Sequence, residues 1–385
     1  MYILTAEQER LKNELIQFTD EEICPIASKL DKSHTFPKNL ISLMGERGYL
    51  DAMFISKRPT ALHNAFSGVM IIEAISRGLA SLGIIVGPNY QCCDLLWEFG
   101  CDRIRHEILE SALKGEKVLA FALSEPAGGS NALGIETTAI SDGNHWILNG
   151  TKSWITGAGN VDGYVVAAKS SAFSRSRSVS LFYVDNNSKG LLINESKNML
   201  GMHSSPMANI EFNDCEIPLD CILGPKDNAY PLIKAILNVG RLAMSAIAIG
   251  IAQAALEASI DYTSIIGRYG RSLSTYQGVT FMVVDMYTKI AAARNSLYHV
   301  ASLFDAKKPH SAEVAALKLF ATEMCCDVCK NARQIHGANG LCDDHNIERY
   351  FRDSQMLTVA EGTSEICKVV MANNLYQTTK KKFYK

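Results

Sequence analysis

The chain has 385 residues and a mass of 42.2 kDa, room for two or three domains at about 150 residues each. Apolar residues make up 47 % and charged residues 20 %, the composition of a globular protein that needs no disulfide or metal staple to build its core. With 38 basic against 40 acidic side chains the net charge is −2, which lacks the basic excess of a nucleic-acid binder, and the longest uncharged run (16 residues, 78–93, containing Pro88, Asn89 and Gln91) is too short and polar to span a bilayer.

The first residues, Met1 to Glu7, carry no basic segment and no cleavage pattern, so a cytoplasmic protein is expected. Leu4, Leu11, Leu15, Phe18, Ile23 and Ile26 recur at helical spacing and predict a helix over 2–35. Phe36-Pro37 interrupts it, and a short helix restarts at Pro37 and runs to Gly48. Residues 64–101 read as a more apolar helical stretch with a break at Pro88, and 102–114 as a charged helix.

The texture changes after Gly115. Residues 118–123 predict a strand, and 137–155 alternate around two turn signals, Asp142-Gly143 and Asn149-Gly150, as hairpins would. Short strands follow at 164–168, 179–184, 191–194 and 208–212, with a serine-rich loop at 170–178. Beyond Pro231, apolar stripes at 232–237 and 241–264 precede two long amphipathic stretches, 277–304 and 312–335. A last helix at 363–376 ends in a basic tail expected to be solvated and disordered. The order is helices, small β block, helices. It disfavours a doubly wound sheet and predicts an α+β protein of three domains: an N-terminal helical domain (1–117), a small β-barrel or sandwich (118–222) and a C-terminal four-helix bundle (223–385). Eleven cysteines without framework spacing read as reduced thiols. The lone Cys326-x-x-Cys329 lies in a helical pattern without a second pair, so no metal is expected.

Three segments can carry chemistry. Leu123-Ser124-Glu125-Pro126-Ala127-Gly128-Gly129-Ser130 follows a strand, and its glycines let backbone N–H groups approach a polar ligand; a plain connecting loop reads equally well. Lys152-Ser153-Trp154-Ile155-Thr156 offers an aromatic wall beside a hydroxyl, or a buried packing tryptophan. Val359-Ala360-Glu361-Gly362-Thr363-Ser364 sets a carboxylate among small apolar residues just before a helix cap. That environment raises a carboxyl pKa towards the range of a general base, unless Glu361 only decorates the helix entry.

Taken together, Ser-Glu-Pro-x-x-Gly-Ser (124–130), Trp-Ile-Thr (154–156), Gln-x-x-Gly-x-x-Gly (334–340) and Glu-Gly-Thr-Ser (361–364) resemble the acyl-CoA dehydrogenase family over essentially the whole chain. The resemblance implies FAD between the β domain and the bundle. Phe121, Leu123, Ser124, Gly129 and Ser130 match the loop along the flavin, and Trp154, Ile155 and Thr156 match the strand end packed on it. Gly362, Thr363 and Glu365 match residues after the base that reach the cofactor. Gln334, Ile335, His336, Gly337 and Ala338, together with Tyr269, Tyr276 and Gln277, match segments lent to FAD by a neighbouring subunit, which implies a homo-oligomer, usually a dimer of dimers. Glu361 matches the catalytic base; Ser130 and Arg241 match substrate contacts. Family branches that place the base before Arg241 would need it at position 240, which is glycine here.

The chain also departs from the family. Ile266 stands where an arginine usually binds the FAD pyrophosphate, and Arg268 is the candidate substitute. Residues 54–60 replace the usual N-terminal loop near the acyl pocket, and Ala360 replaces an aromatic before the base. These changes point to an unusual acyl group, with Asn89, Tyr90 and Gln91 as candidates for a more polar pocket. Arg175 and Arg177 are candidates to meet a CoA phosphate or an acidic acyl carrier protein. The expected function is FAD-dependent dehydrogenation of an acyl thioester on CoA or a carrier protein, with an electron acceptor of unknown identity. Oxidation of a small hydroxy- or aminoacyl group on a carrier protein is the alternative, and a non-catalytic binding role is disfavoured by Glu361.

Overall fold

The computed structural model describes residues 2–52, 54, 64–131, 134–171, 178–265, 267–268 and 270–383, without the side chains of Arg268 and 377–383. Helix α1 (Ala6–Phe18) opens on a capping box, with the Gln8 N–H donating to Thr5 Oγ1 and the Thr5 N–H donating to Gln8 Oε1. It continues through a π turn at Thr19–Ile23 into α2 (Cys24–Ser33), where Pro25 supplies no N–H to the turn before it. Then come α3 (Lys38–Glu46), α4 (Ala65–Gly78), α5 (Ala80–Phe99) and the short α6 (Asp102–Ile104) and α7 (Glu110–Leu113).

The central block is one mixed sheet of β1 (Leu119–Ala122), β2 (Thr138–Ser141), β3 (His145–Thr156), β4 (Gly163–Lys169), β5 (Val179–Asp185), β6 (Leu191–Ile193), β7 (Met207–Pro218) and β8 (Ile222–Leu223). Its order is β6-β7-β3-β2-β4-β5-β8, with β1 pairing parallel to β4. Helix α8 (Tyr230–Ile265) leads through β9 (Gly267–Arg268) and β10 (Arg271–Ser272) into α9 (Gln277–Asp305), α10 (Ser311–His336), α11 (Ile347–Met356) and α12 (Ser364–Phe383). Helix α8 is long and apolar enough to cross a membrane, yet its most apolar stretch is 89 % buried against the rest of the molecule, as a core helix is.

The blocks are locked by buried polar contacts. The Leu119 N–H at the start of β1 donates to Asn89 Oδ1 of α5 (2.9 Å). The Asp305 carboxylate, at the end of α9, accepts the Ala65 and Phe66 N–H groups that open α4 (2.7 and 3.1 Å).

Four sequence expectations change. The helical break falls at Leu79 (φ −145°, ψ 104°), not at Pro88; α5 is buried on nearly every face, and tertiary packing offsets the roughly 3 kcal/mol that an interior proline costs. Asn149-Gly150 is no turn, because β3 runs straight through it. Asn149 instead exchanges two hydrogen bonds with Asp214 of β7 (3.0 and 2.9 Å), and Gly150 (φ 137°) bulges where a Cβ would strike Thr137. The stripes at 232–237 and 241–264 form one helix of 36 residues, since Asn238 bonds to Arg241 and Ser311 and leaves the helix backbone alone. The C-terminal helix carries on to Phe383 through the residues expected to be a disordered tail, with 384–385 outside the described residues.

Candidate active site

Glu361 lies in the turn between α11 and α12, with left-handed backbone (φ 54°) followed by Gly362 (φ 95°). Thr363 caps α12 by accepting the Ile366 N–H on Oγ1 (3.3 Å), and the Ser364 N–H folds back to Thr358 O (3.0 Å). Among the described residues, no acceptor in the chain takes the Glu361 backbone N–H. The residue is half-buried, but its Oε2 is shut off from solvent and has no hydrogen-bond partner. Burial pushes the carboxyl up to about 7, against the pull of Arg241, Gln91 and Lys318.

The carboxylate rests on Gly240 of α8. A Cβ there would fall inside the Glu361 carboxylate and 2.5 Å from Gln91 Nε2. Arg241 is buried, donates from Nη1 to Asn238 Oδ1 (2.9 Å), lies against Gly362, and has an unpartnered Nε. Gln91 donates from Nε2 to Ile236 O (3.0 Å), and its Oε1 is buried without a partner. Three unsatisfied polar atoms therefore lie at the candidate base, its own Oε2 and two from its neighbours. A site that is complete only with a polar ligand leaves such atoms unpaired. Asn89 holds β1 through Oδ1 and leaves a buried, unpartnered Nδ2, and the Tyr90 hydroxyl donates to Tyr49 O.

A second polar cluster is made by the loop after β1 and the end of β3. Lys152 and Glu125 form a buried ion pair (2.6 Å), and Lys152 Nζ also donates to Leu123 O (3.0 Å). Glu125 further accepts the Glu136 N–H (2.5 Å), the Thr137 N–H (3.0 Å) and the Thr137 hydroxyl (2.6 Å). Burial raises the Glu125 carboxyl, yet these donors together pull it below the ordinary range; burial also draws Lys152 down to about 8 against the pull of Glu125. The Ser153 N–H donates to Ser124 O (2.8 Å), so the two segments are tied side by side. Glu125 and Lys152 lay inside the sequence motifs but drew no role from sequence reasoning, because their partnership spans 27 residues and forms only when β3 returns beside β1.

Trp154 is not a packing residue: it sits at φ 61° with 56 % of its surface exposed, Lys197 Nζ lying 4.5 Å from the ring centroid. Ile155 is buried beneath it, and Phe121, Ser124 and Thr156 are half-buried. Leu123 is buried, whereas Gly129 and Ser130 are exposed, and nothing lies within 4 Å of where a Gly129 Cβ would sit. An exposed indole on strained backbone beside an open glycine loop fits a flat aromatic cofactor such as FAD.

Gln334, Gly337, Ala338, Tyr276 and Gln277 are exposed at the far ends of α9 and α10, and Ile335 is half-buried. His336 is buried in its own protomer, its ring tilted against Tyr262 with centroids 4.2 Å apart and Nδ1 2.8 Å from Ala332 O, so its ring belongs to the core. Glu365 is exposed on the first turn of α12. Tyr269, Ile266, Arg175, Arg177 and 55–60 lie outside the described residues, and Arg268 is described in its backbone alone. A cavity of about 560 Å³ between α1, α4, α8 and α9 shares no residue with this cluster, and its arginines are paired, Arg294 with Glu73 (2.7 Å) and Arg77 with Glu257 (2.9 Å). Among the described residues, no group of His, Cys, Asp and Glu is placed to hold a metal.

Residues 5–116, 120–215 and 230–376 match, in turn, the N-terminal, middle and C-terminal domains of acyl-CoA dehydrogenase. The chain is 34 % identical over 377 residues to the mitochondrial short-chain specific acyl-CoA dehydrogenase of Rattus norvegicus, covering 97 % of this chain and 91 % of that one. It is 32 % identical to a 3-(aryl)acrylate reductase of Clostridium sporogenes, covering 96 % and 99 %. The structure of butyryl-CoA dehydrogenase from Megasphaera elsdenii superposes with a TM-score of 0.92 at 26 % identity, covering 98 % and 100 %.

Proposed function

The chain belongs to the acyl-CoA dehydrogenase family, and from that premise we propose that Glu361 is the base that removes the Cα proton of a short acyl-CoA thioester. The enzyme is an FAD-dependent oxidoreductase acting on a CH–CH bond. When bound, FAD would supply the acceptor for the Cβ hydride, so that loss of the two hydrogens would leave a Cα=Cβ double bond. The chain would hold it with Trp154, Thr156 and the 124–130 loop on the β side and with the start of α12 on the other.

The observation that carries the reading is the Glu361 carboxylate: buried, unpartnered at Oε2 and raised to about 7. A base tuned near neutrality is ionised at working pH yet basic enough to take a weakly acidic proton. The free Glu361 backbone N–H is a donor for the thioester oxygen, which gains charge as the proton leaves. The expected result for Glu361→Gln is a yellow, FAD-loaded protein that substrate no longer bleaches under anaerobic conditions; bleaching near the wild-type rate sinks the assignment.

Around the base, Gln91 Oε1 and Arg241 Nε favour a short acyl group carrying a polar substituent over an ordinary fatty chain. An anaerobic panel of butyryl-CoA, glutaryl-CoA, a 3-hydroxyacyl-CoA and the same acyl groups on a carrier protein tests this, and fastest bleaching by a long plain chain overturns it. We place the enzyme in the cytoplasm, on the support of eleven free cysteines. We assign it a homo-oligomer, a dimer of dimers, in which exposed Gln334, Gly337 and Ala338 face a neighbour's cofactor. The exposed Phe281, Val284 and Tyr287 on one helix support that assembly, and a monomeric mass by light scattering would exclude it.

A further inference from the structure

Lys318 of α10 is fully buried, yet it belongs to none of the motifs above. Its ammonium donates to Gly362 O (2.8 Å) and Thr358 O (3.3 Å). These carbonyls bracket the turn that carries Glu361. Both residues at the apex are left-handed, Glu361 at φ 54° and Gly362 at φ 95°, and a non-glycine residue holds that conformation only where its surroundings enforce it. Five residues along the same helix, Glu323 Oε1 accepts the Ser364 hydroxyl (2.6 Å), so α10 grips the turn and the helix start that follows it.

We propose that Lys318 is a positioning residue for proton abstraction: its buried ammonium clamps the Thr358 and Gly362 carbonyls and so holds the Glu361 carboxylate over Gly240. This rests on the reading of Glu361 as the base. The ammonium is also one of the two cations that act on Glu361. The charged and polar groups around the pair are Arg241 from α8, Gln91 from α5, Glu323 from α10 itself and Cys367 from α12. Burial lowers the Lys318 pKa, whereas Cys367 and Glu361 raise it. A buried ammonium is costly to keep. An apolar side chain would fill the same space without that cost but would satisfy neither carbonyl, nor place a positive charge near the base.

The test compares FAD-loaded wild type, Lys318→Met, Lys318→Gln and Glu361→Gln by anaerobic bleaching with butyryl-CoA across pH 5.5–9. Lys318→Met is expected to retain flavin. It should bleach about 100-fold more slowly, the scale of a 1 Å displacement of a catalytic group. The acid limb of its profile should move up by about one pH unit, as loss of a neighbouring cation requires. Lys318→Gln restores a donor but no charge, so it should recover part of the rate and keep the raised limb. If Lys318→Met does not hold FAD, Lys318→Gln is judged by the same limb. A folded, flavin-loaded variant with wild-type rate and limb overturns the clamp. A variant that is slow at every pH with an unshifted limb also overturns it, because Lys318 would then be only structural. If Glu361→Gln still bleaches, the assignment of the base fails; if Glu361→Gln is inert while the Lys318 variants match wild type, only the clamp fails.

Discussion

At the Glu125–Lys152 pair both carboxylate oxygens and the ammonium are hydrogen-bonded, whereas at the Glu361 turn Oε2, Gln91 Oε1 and Arg241 Nε have no partner. Both clusters are buried and both carry charge. One has finished its hydrogen bonding within the chain, and in the function proposed above it would support the residues that hold the flavin. The other is left incomplete beside the carboxylate proposed as the base. A buried unsatisfied atom costs about 1–3 kcal/mol unless a ligand or water completes it.

The largest effect should come from breaking the finished side. Lys152→Met leaves Glu125 charged, buried and unpaired, a loss of about 3–5 kcal/mol. Thermal denaturation should show a fall in Tm of many degrees together with weaker FAD retention, and an unchanged melt would mean the pair is not needed. On the reactive side, Gly240→Ala puts a methyl into the Glu361 carboxylate. It should slow bleaching about 100-fold while flavin binding and Tm hold, since alanine is the better helix former. Unchanged turnover would show that the carboxylate has room to move. The pH dependence is a gentler probe. Only ionised Glu361 accepts the Cα proton, so the bleaching rate should drop about tenfold per unit below pH 7, the value to which burial raises the group. A limb near the ordinary glutamate value would mean the carboxylate is solvated. The smallest change is expected from Gln91→Leu, which removes a donor that stabilises the carboxylate. The limb should rise by less than one unit, measured on the same profile, with a stability loss of about 1 kcal/mol from the unpaired Ile236 carbonyl.

Much of this contrast could be read along the chain. The helix–sheet–helix order and the flavoprotein family follow from periodicity and four short motifs, and Glu361 stands out as a carboxylate among small apolar neighbours. The element boundaries that changed are those where local preference met a long-range contact. Pro88 stayed helical because α5 is buried all round, and Asn149-Gly150 became a bulge because Asp214 sits opposite. Trp154 stayed ambiguous for a similar reason: nothing local tells an indole turned outward from one packed inward.

Composition by itself determined that this is a near-neutral globular chain without need of staples, and the motifs determined its family and its cofactor class. Only the tertiary structure decided which polar groups meet. Glu361 is separated by 270 residues from Gln91 and by 43 from Lys318, and Gly240 reaches the carboxylate from a third helix. Hydrophobic periodicity specifies which face of each helix is buried, but not which helix lies opposite. The pKa of a buried carboxylate and the space left for it are set by those opposing faces, so both emerged only when α5, α8 and α10 closed around one turn.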